Sequence, residues 1–498
     1  MFSELGISSE DWERTPPALR TVVLSLQHQL RLFQIRHTGY ERQIAALKEK
    51  VTQIDDLTAE LSELRERVNQ HSRNSSKPPS SDPPHQQLPP PNAPRGRKQG
   101  AQPGHQGAGR SLKPAEDVDA VVELRPVSGR TCGHTLLGDD PHPSRHQVTE
   151  VPRARAEVTE YRQHTLRCPA CGTTNRAARP ADNVLPGSFG ARTQALIGYL
   201  AGRLSLSHRD AAEAMRVLHG LDVSVGSVAA MQQPVSAALA EPVRCARHFV
   251  EQPQSQPVDE TGWRESGRRN WRWVNATRAV TVFHPRGGRS LKEAQRVISS
   301  ATKSSITTER YGAYNWLEAT RRQICWAHLA RDFQAMVERG GESATTGHAL
   351  LEHSQNLFTL WHRVRAQTLS RAQFQVAMEP LRLHIKELLA AGSRVAQAKT
   401  RRTCQNMLKA EKSLWTFVRV EGVEPTNNAA ERALRRGVLW RRKSFGTQSE
   451  AGSRCVERIL TVVTSLRQQG RDVLDYLTAA CASLTPNDAS ICLRPDTS

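Results

Sequence analysis

The stretch Glu424–Arg435, which reads E-P-T-N-N-A-A-E-R-A-L-R, is the part of the sequence around which the fold is organised. Pro425 and Thr426 give a helix-start signal, and the residues from Ala429 onward favour a helix strongly. We therefore expect Glu431 about one turn into a short helix, with arginines close by. Taken alone, a carboxylate among arginines indicates a solvated ion pair.

A second carboxylate, Asp259, lies upstream in Q-P-V-D-E-T-G-W, a stretch typical of a strand that leads into a basic, tryptophan-containing hairpin. Two carboxylates at strand and helix ends indicate metal-assisted phosphoryl transfer on nucleic acid. The charge agrees, because 69 Lys and Arg against 49 Asp and Glu give a net charge of +20 over 498 residues. This surplus predicts a polyanionic partner. The alternative is a basic protein that its charge keeps soluble.

Other classes of protein are disfavoured by the composition. No apolar run reaches the roughly 18 residues of a membrane span, and no signal-peptide pattern is present. The nine cysteines are scattered apart from Cys168 and Cys171, which argues against a disulfide scaffold. We therefore expect a cytoplasmic protein that makes no membrane contact.

Residues 1–70 predict a coiled coil. A helix opens at Thr15-Pro16-Pro17, and apolar residues then follow heptad spacing with one stammer. They are Ile44, Leu47, Val51, Ile54, Leu57, Leu61, Leu64 and Val68. A coiled-coil homo-oligomer is our interpretation, and a single amphipathic helix packed on its own chain is the alternative.

Residues 71–111 form a linker rich in Pro, Ser and Gly, in which the prolines exclude regular structure. Arg95, Arg97 and Lys98 indicate a basic arm that binds a phosphate backbone or a minor groove. An inert soluble linker is the alternative.

Residues 112–186 predict short strands and turns. Cys168-Pro-Ala-Cys171 is typical of half a zinc site, and Cys132 is a candidate for the other half. Gly129 stands where the partner of Cys132 is expected, with His134 as a substitute ligand. We expect a zinc-ribbon-like module that binds Zn²⁺ or is held by packing alone.

Residues 187–250 are predicted to be helical. The helices are Ala191–Leu204, Ser207–Leu218 and Ser224–Ala238. The last two, joined across Gly220, resemble a helix-turn-helix. Few basic side chains lie on the last helix, so a plain helical bundle is the alternative to DNA contact.

From about Gln256 strands alternate with helices. We predict three strands, a helix, and two further strands that end near Glu309 and Trp326. This order indicates an α/β core in residues 251–445, with a helical insert at about 345–420. The insert helices are Leu350–Val364, Arg371–Leu389 and Ala396–Phe417. Residues 446–498 form a C-terminal helical region and tail, which completes a multidomain α+β chain.

Several longer motifs follow one another along the chain. They are N-S-S-K-P-P-S-S-D (74–82), R-G-R-K-Q-G-A-Q-P-G-H-Q-G (95–107), C-P-A-C-G (168–172), V-D-E-T-G-W (258–263), R-Y-G-A-Y-N-W (310–316), C-W-A-H-L-A-R-D-F (325–333) and the stretch at 424–435. In this order they resemble the transposases of the insertion sequence 66 family, a bacterial group with a DDE catalytic triad. The resemblance implies a ribonuclease-H-like core.

The resemblance also implies the catalytic residues, which are Asp259, Glu309 and Glu431, holding two Mg²⁺ ions or Mn²⁺ in their place. The family has aspartate at the second position. The longer Glu309 side chain shifts its carboxylate, and Mg²⁺ demands near-ideal octahedral geometry. Arg432, Arg435, Arg441 and Arg442 are candidate phosphate clamps. For Cys325 and His328 we expect packing or DNA contact, and for Trp263, Trp271 and Trp273 core packing.

The predicted function is therefore a DNA transposase that cleaves and transfers strands at the ends of a bacterial insertion sequence. Its partners are the double-stranded DNA of the transposon ends and the target, a second copy of itself, and small accessory proteins of the element. The expected location is the nucleoid. The alternative is a catalytically impaired relative that binds transposon ends without moving them.

Overall fold

The computed structural model describes residues 6, 8–75, 109–178, 187–300, 302–483 and 492–493. The first elements are the helices α1 (Ser9–Arg14) and α2 (Pro17–Val68), the strands β1 (Thr165–Arg167) and β2 (Thr174–Arg176), and the helices α3 (Ala191–Gly198), α4 (His208–His219), α5 (Val225–Ala238) and α6 (Ala240–Phe249). A single π-helical turn, Tyr199–Arg203, extends α3.

A five-stranded mixed sheet forms the centre of the fold. It consists of β3 (Ser255–Glu265), β4 (Arg268–Ala276), β5 (Thr281–Arg286), β6 (Ser305–Thr308) and β7 (Arg322–Ile324), with helix α7 (Leu291–Val297) between β5 and β6. The strand order is β5-β4-β3-β6-β7. The first three strands are antiparallel, whereas β6 and β7 run parallel to β3. The prediction of three strands, a helix and two strands is confirmed, and Trp263 and Trp273 are buried as expected.

The remaining helices follow the sheet along the chain. They are α8 (Trp326–Glu338), α9 (Gly341–Arg365), α10 (Arg371–Gly392), α11 (Ala398–Lys409), α12 (Glu411–Leu414), α13 (Thr416–Arg419), α14 (Asn428–Ser444), α15 (Glu450–Gln468) and α16 (Val473–Ala482). One apolar core joins α8 to the helices of the insert. Another lies between α14, α15 and the face of the sheet that carries Trp263.

The single helix predicted for Ala396–Phe417 is wrong, because α11, α12 and α13 replace it. The cause is the buried side chain of Gln323, which bonds to the backbone where a continuous helix would close its own bonds. Its amide donates to the Leu414 carbonyl at 3.1 Å and accepts from the Phe417 N–H at 2.8 Å.

The prediction of several short strands in residues 112–186 is largely wrong. The described part of this range has only the three-residue strands β1 and β2 and one isolated bridge, between Ser128 and Thr135. Its apolar side chains are exposed, including Val122 and Leu124. Without a packed apolar face, alternating residues have little to hold them in a sheet.

Helix α2 is continuous over 52 residues, as the heptad pattern requires. Its seam is exposed, with Leu47 and Leu61 60% and 49% accessible. Its C-terminal end meets the core, where Glu66 pairs with Arg339 at 2.6 Å and with Lys399. No helix in the described part of the chain is long and apolar enough to cross a bilayer.

The helical pair predicted in residues 187–250 is present as α4 and α5. Gly220 ends α4 in the left-handed conformation, and the Ser224 side chain caps α5. Val228, Met231 and Val235 bury one face of α5. The exposed face carries no Lys or Arg, which favours the role of a packing element.

Candidate functional site

The site begins on the central strand β3 at Asp259, which is half-buried next to the fully buried Val258. Burial raises the pKa of Asp259 well above its ordinary value, and the charges of Glu260, Glu309 and Glu431 raise it further. Like charges oppose ionisation at short range. The shift therefore indicates that the carboxylates of β3, of the end of β6 and of α14 share one electrostatic environment.

Glu309 directly follows β6, which runs parallel to β3. Pro257 of β3 lies opposite Thr307 of β6 in the parallel register. Asp259 and Glu309 each come two residues later, so they lie side by side. The Glu309 carboxylate accepts a hydrogen bond from the Arg289 guanidinium, and its other oxygen lies 3.8 Å from His328 Nε2. Burial, followed by the charge of Glu260, raises the pKa of Glu309 to about 7.

Arg289 holds more than one group in this region. It also binds Glu260, a fully buried carboxylate that accepts from the Tyr314 hydroxyl. Its guanidinium lies over the Tyr311 ring at 3.9 Å from the ring centroid. These contacts leave Glu309 tied to a cation that belongs to the protein itself.

Glu431 lies in the first turn of α14, but its surroundings differ from the prediction. The helix is 17 residues long rather than short. Among the described residues Glu431 pairs with no arginine of its own helix; its neighbours are His328 Nδ1 at 3.6 Å and Arg331 at 3.9 Å, both on α8. These contacts with α8 leave the Glu431 carboxylate partly buried, so a solvated ion pair is the wrong interpretation.

Asn427 fixes this arrangement at the start of α14. Its side-chain amide donates to the Val258 carbonyl at 2.9 Å, and its backbone N–H donates to Cys325 Sγ at 3.2 Å. The Trp326 N–H donates to the Pro425 carbonyl at 2.9 Å. One fully buried residue therefore ties β3, the start of α8 and α14 together at the site.

His328 is a site residue that the sequence reasoning assigned to packing or DNA contact. It lies between Glu309 and Glu431, and the C-x-x-H spacing at a helix start was the available signal. Arg331 can only donate, so its contact of 3.3 Å with His328 Nε2 places the ring proton on Nδ1, which faces Glu431. Burial, then the Arg331 and Arg310 charges, lowers the pKa of His328 to about 3. The ring is therefore neutral, and its Nδ1 lies 3.6 Å from Glu431 Oε1.

The ligand atoms of Cys325, His328 and Glu431 all lie within 4.8 Å of one another, and no other described group of three does. The three carboxylates of the expected triad are therefore not that close. Cys325 Sγ already accepts a hydrogen bond, and burial raises the pKa of its thiol to about 11. These groups therefore suit a cation that binds carboxylate oxygens, such as Mg²⁺ or Mn²⁺, better than a metal that binds a thiolate.

A divalent cation fits part of this site. Glu431 Oε1 is buried without a hydrogen-bond partner, which is the condition of an oxygen that awaits a cation. Burial, and then repulsion from the neighbouring carboxylates, raises the pKa of Asp259, and a cation would relieve that repulsion. Glu309 fits only after Arg289 releases it.

Comparison with known proteins identifies the family. The family model described as "Transposase IS66 family" matches residues 187–455, which is more than half of the chain. The chain belongs to this transposase family. Residues 29–111 match a second model, described as a family of unknown function. An uncharacterized protein, y4qI of Sinorhizobium fredii (strain NBRC 101917 / NGR234), is 28% identical over 189 residues, which is 34% of each of the two chains.

In this transposase the predicted zinc module keeps two turns of the same form, which begin at Gly129 and Cys168. In the first turn the Gly129 N–H donates to the His134 carbonyl at 2.9 Å, and the Gly133 N–H donates to the Gly129 carbonyl at 2.8 Å. The second turn has the same two bonds, from Cys168 to Thr173 at 2.8 Å and from Gly172 to Cys168 at 2.9 Å. Gly129 therefore occupies the position in its turn that Cys168 occupies in the other. Cys132, Cys168 and Cys171 form no close described group, and zinc binding stays a prediction.

The four arginines predicted to clamp phosphate have two different environments. Arg432, Arg435 and Arg442 are exposed on α14. Arg441 is half-buried instead and donates to the Gly262 carbonyl, so it joins α14 to β3. The predicted basic arm, Arg95, Arg97 and Lys98, lies outside the described residues.

Replacing Asn427 with alanine is expected to lower the free energy of unfolding of the core by about 2 kcal/mol. The reason is that the buried Val258 carbonyl loses the hydrogen bond that the Asn427 amide donates to it. Urea unfolding followed by tryptophan fluorescence measures the change. Asn428→Ala is the matched control, because Asn428 is exposed. Equal stability of the two variants would show that the Asn427 bond does not hold the site together.

The raised pKa of Glu309, about 7 against 4.5, predicts a pH dependence. Between these values the folded protein binds more protons than the unfolded chain. The contribution of Glu309 to stability is therefore complete below about pH 4.5 and is lost, by roughly 3 kcal/mol, as pH rises through about 7. Glu309→Gln should lose this part of the dependence in urea unfolding, whereas Glu318→Gln, on the exposed surface, should keep it. Parallel curves for all three proteins would contradict the assignment.

Proposed function

We propose that the chain is a DNA transposase that cleaves and joins strands at the ends of a bacterial insertion sequence by metal-dependent phosphoryl transfer. Family membership supports the transposase role. The observation that supports the finer mechanism is the register that brings Glu309 level with Asp259, with Glu431 close enough for its charge to raise the pKa of Asp259. The strand order β5-β4-β3-β6-β7, with the last two parallel to β3, supports a ribonuclease-H-like core.

Each residue of the site has a separate role in this proposal. Asp259 and Glu431, with Glu309 once Arg289 leaves it, would hold Mg²⁺ or Mn²⁺, which would supply charge stabilisation at the reacting phosphate and activate water or a 3′-hydroxyl. Neutral His328 is too weak a base to take the proton of the nucleophile and instead orients Glu431. Arg331 is a candidate contact for the phosphate.

The second candidate function is a catalytically impaired relative that binds transposon ends without transposing them. The contact of Arg289 with Glu309 favours it, because a carboxylate tied to a protein cation binds a metal less readily. The binding surfaces would stay intact in such a protein. The two candidates therefore differ in chemistry and not in DNA affinity.

Plasmid mobilisation, using the ends that flank this gene, separates the candidates. The unaltered chain is expected to move DNA, and Glu431→Ala to reduce movement at least 100-fold, since it removes one of the three metal-binding carboxylates. Glu450→Ala, an exposed carboxylate of α15, is the control.

Glu309→Asp completes this experiment. If only this variant moves DNA, the unaltered chain is the impaired relative, and gel-shift binding to the ends should survive in it. If Glu431→Ala is as active as the unaltered chain, the proposed metal site is wrong.

We further propose that the transposase assembles into a homo-oligomer through α2. We also propose that its domains have the boundaries given in the sequence analysis. The exposed seam supports this proposal, and its spacing continues upstream through Leu30, Phe33 and Tyr40. Such a seam is the usual contact of a coiled coil. An assembly of this kind would hold two transposon ends on the nucleoid, with small accessory proteins of the element as further candidate partners.

Leu47→Glu is expected to convert the assembly to a monomer, because it places a charge in the seam. Light scattering after size exclusion measures the mass. Leu383→Glu is the matched control, since Leu383 is also an exposed leucine on a helix. Equal masses for the unaltered chain and both variants would rule out assembly through this seam.

A further inference from the structure

The end of the β3–β4 hairpin and the end of α14 meet far from the carboxylates. We call residues 264–269 and 443–447 together the tip surface. The Thr447 N–H donates to the Arg264 carbonyl at 3.0 Å, and the Ser266 N–H donates to the Thr447 carbonyl at 2.9 Å. Gly446 makes this contact possible, since a Cβ there would lie 2.1 Å from the Arg264 carbonyl oxygen. The two segments therefore form one fixed surface.

Phe445 projects from the tip surface into solvent. It is 77% exposed and ends α14 with a φ of 58°, in the left-handed region. A bulky side chain rarely adopts this conformation, and strain of this kind occurs preferentially at functional positions. A left-handed residue is a common helix end, but glycine usually occupies the position, so the aromatic ring that is held outward here is the unusual feature.

The surroundings of the ring are strongly basic. Arg264, Arg268 and Arg269 on the hairpin are exposed, as is Lys443 at the end of α14. The described residues place no carboxylate in an ion pair with any of the four. The tip surface contains one carboxylate, Glu265, against these four cations. A ring among cations in excess suits a polyanion with aromatic groups, which is the chemistry of nucleic acid.

Strand β3 and helix α14 connect this surface to the catalytic carboxylates. They touch at Asn427 beside the site, at Arg441 midway and at Thr447 on the tip. The fourteen residues from Glu431 to Phe445 span about 21 Å of helix, roughly the rise of six base pairs. Exposed Arg432, Arg435 and Arg442 lie along this path.

We propose that the tip surface binds an unpaired nucleotide of the DNA, about 21 Å along α14 from the phosphate held at the carboxylates, with Phe445 stacked on its base. The proposal rests on the proposed function and adds a second point of contact to it. The nucleotide must be unpaired because bases in a duplex are already stacked on one another. A protein partner is the rival occupant, and the excess of cations disfavours it.

Photocrosslinking tests the contact directly. The probe is a duplex of arbitrary sequence with a single-stranded tail, in which 5-iodouracil replaces one base of the tail at a time. We expect a cross-link to Phe445 that is confined to a narrow window of tail positions. Phe445→Ala should lose it, and Phe445→Trp should keep it because the indole also stacks.

Fluorescence anisotropy gives the size of the effect. Phe445→Ala should weaken binding of the tailed probe about tenfold, with less than about a twofold change for the fully paired duplex. Val376→Ala is the matched control, because Val376 is equally exposed, at 75%, on helix α10 of the insert. Arg432→Gln with Arg435→Gln should weaken both probes alike.

Each other outcome overturns the tip assignment. Equal affinity of Phe445→Ala and the unaltered chain for the tailed probe, without a cross-link, rejects the tip while leaving DNA binding in place. A change in the mass of the protein in Phe445→Ala, at unchanged DNA affinity, identifies a contact between protein molecules instead. No binding of either probe by the unaltered chain rejects the proposed function together with the tip.

Discussion

The hydrogen bonds of Asn427 are the constraint on which the site depends. The side-chain amide donates to the carbonyl of Val258, the neighbour of Asp259 in sequence. The backbone N–H donates to the sulfur of Cys325, three residues before His328. Asn427 itself stands four residues before Glu431, which is one helical turn. A single buried amide therefore sets the distance between strand and helices. Because β3, α8 and α14 are regular elements, this distance also sets the relative positions of Asp259, His328 and Glu431.

Electrostatics at the site oppose folding as much as they support function. Asp259, Glu260 and Glu309 bring several carboxylates together where water is scarce, which raises the pKa of Asp259 and of Glu309. Arg289 compensates for part of this charge by binding both glutamates. The same arginine competes with any cation for Glu309. The Glu309 charge is thus partly neutralised by Arg289, a neighbour that belongs to the protein itself.

Local sequence patterns predicted the elements well and their surroundings poorly. The order of strands and helices in the core followed from alternation and from helix-start signals. The break of Ala396–Phe417 did not, because the side chain that causes it, Gln323, is distant in sequence. His328 was undervalued for the same reason. Its neighbours Glu309 and Glu431 lie 19 residues before it and 103 residues after it, and no local pattern reports such a contact.

The sequence by itself determined the family, the basic character, the long helix with its heptad seam, and the identity of the candidate carboxylates, since these are properties of residue type and local spacing. Only the tertiary structure decided which groups face those carboxylates. Glu431 lies next to His328 and not next to the arginines of its own helix. Arg441 donates a hydrogen bond to the backbone of β3, and Glu309 forms an ion pair with Arg289. The physical reason is that ionisable groups respond to whatever lies within a few ångströms, and packing rather than sequence distance sets those neighbours.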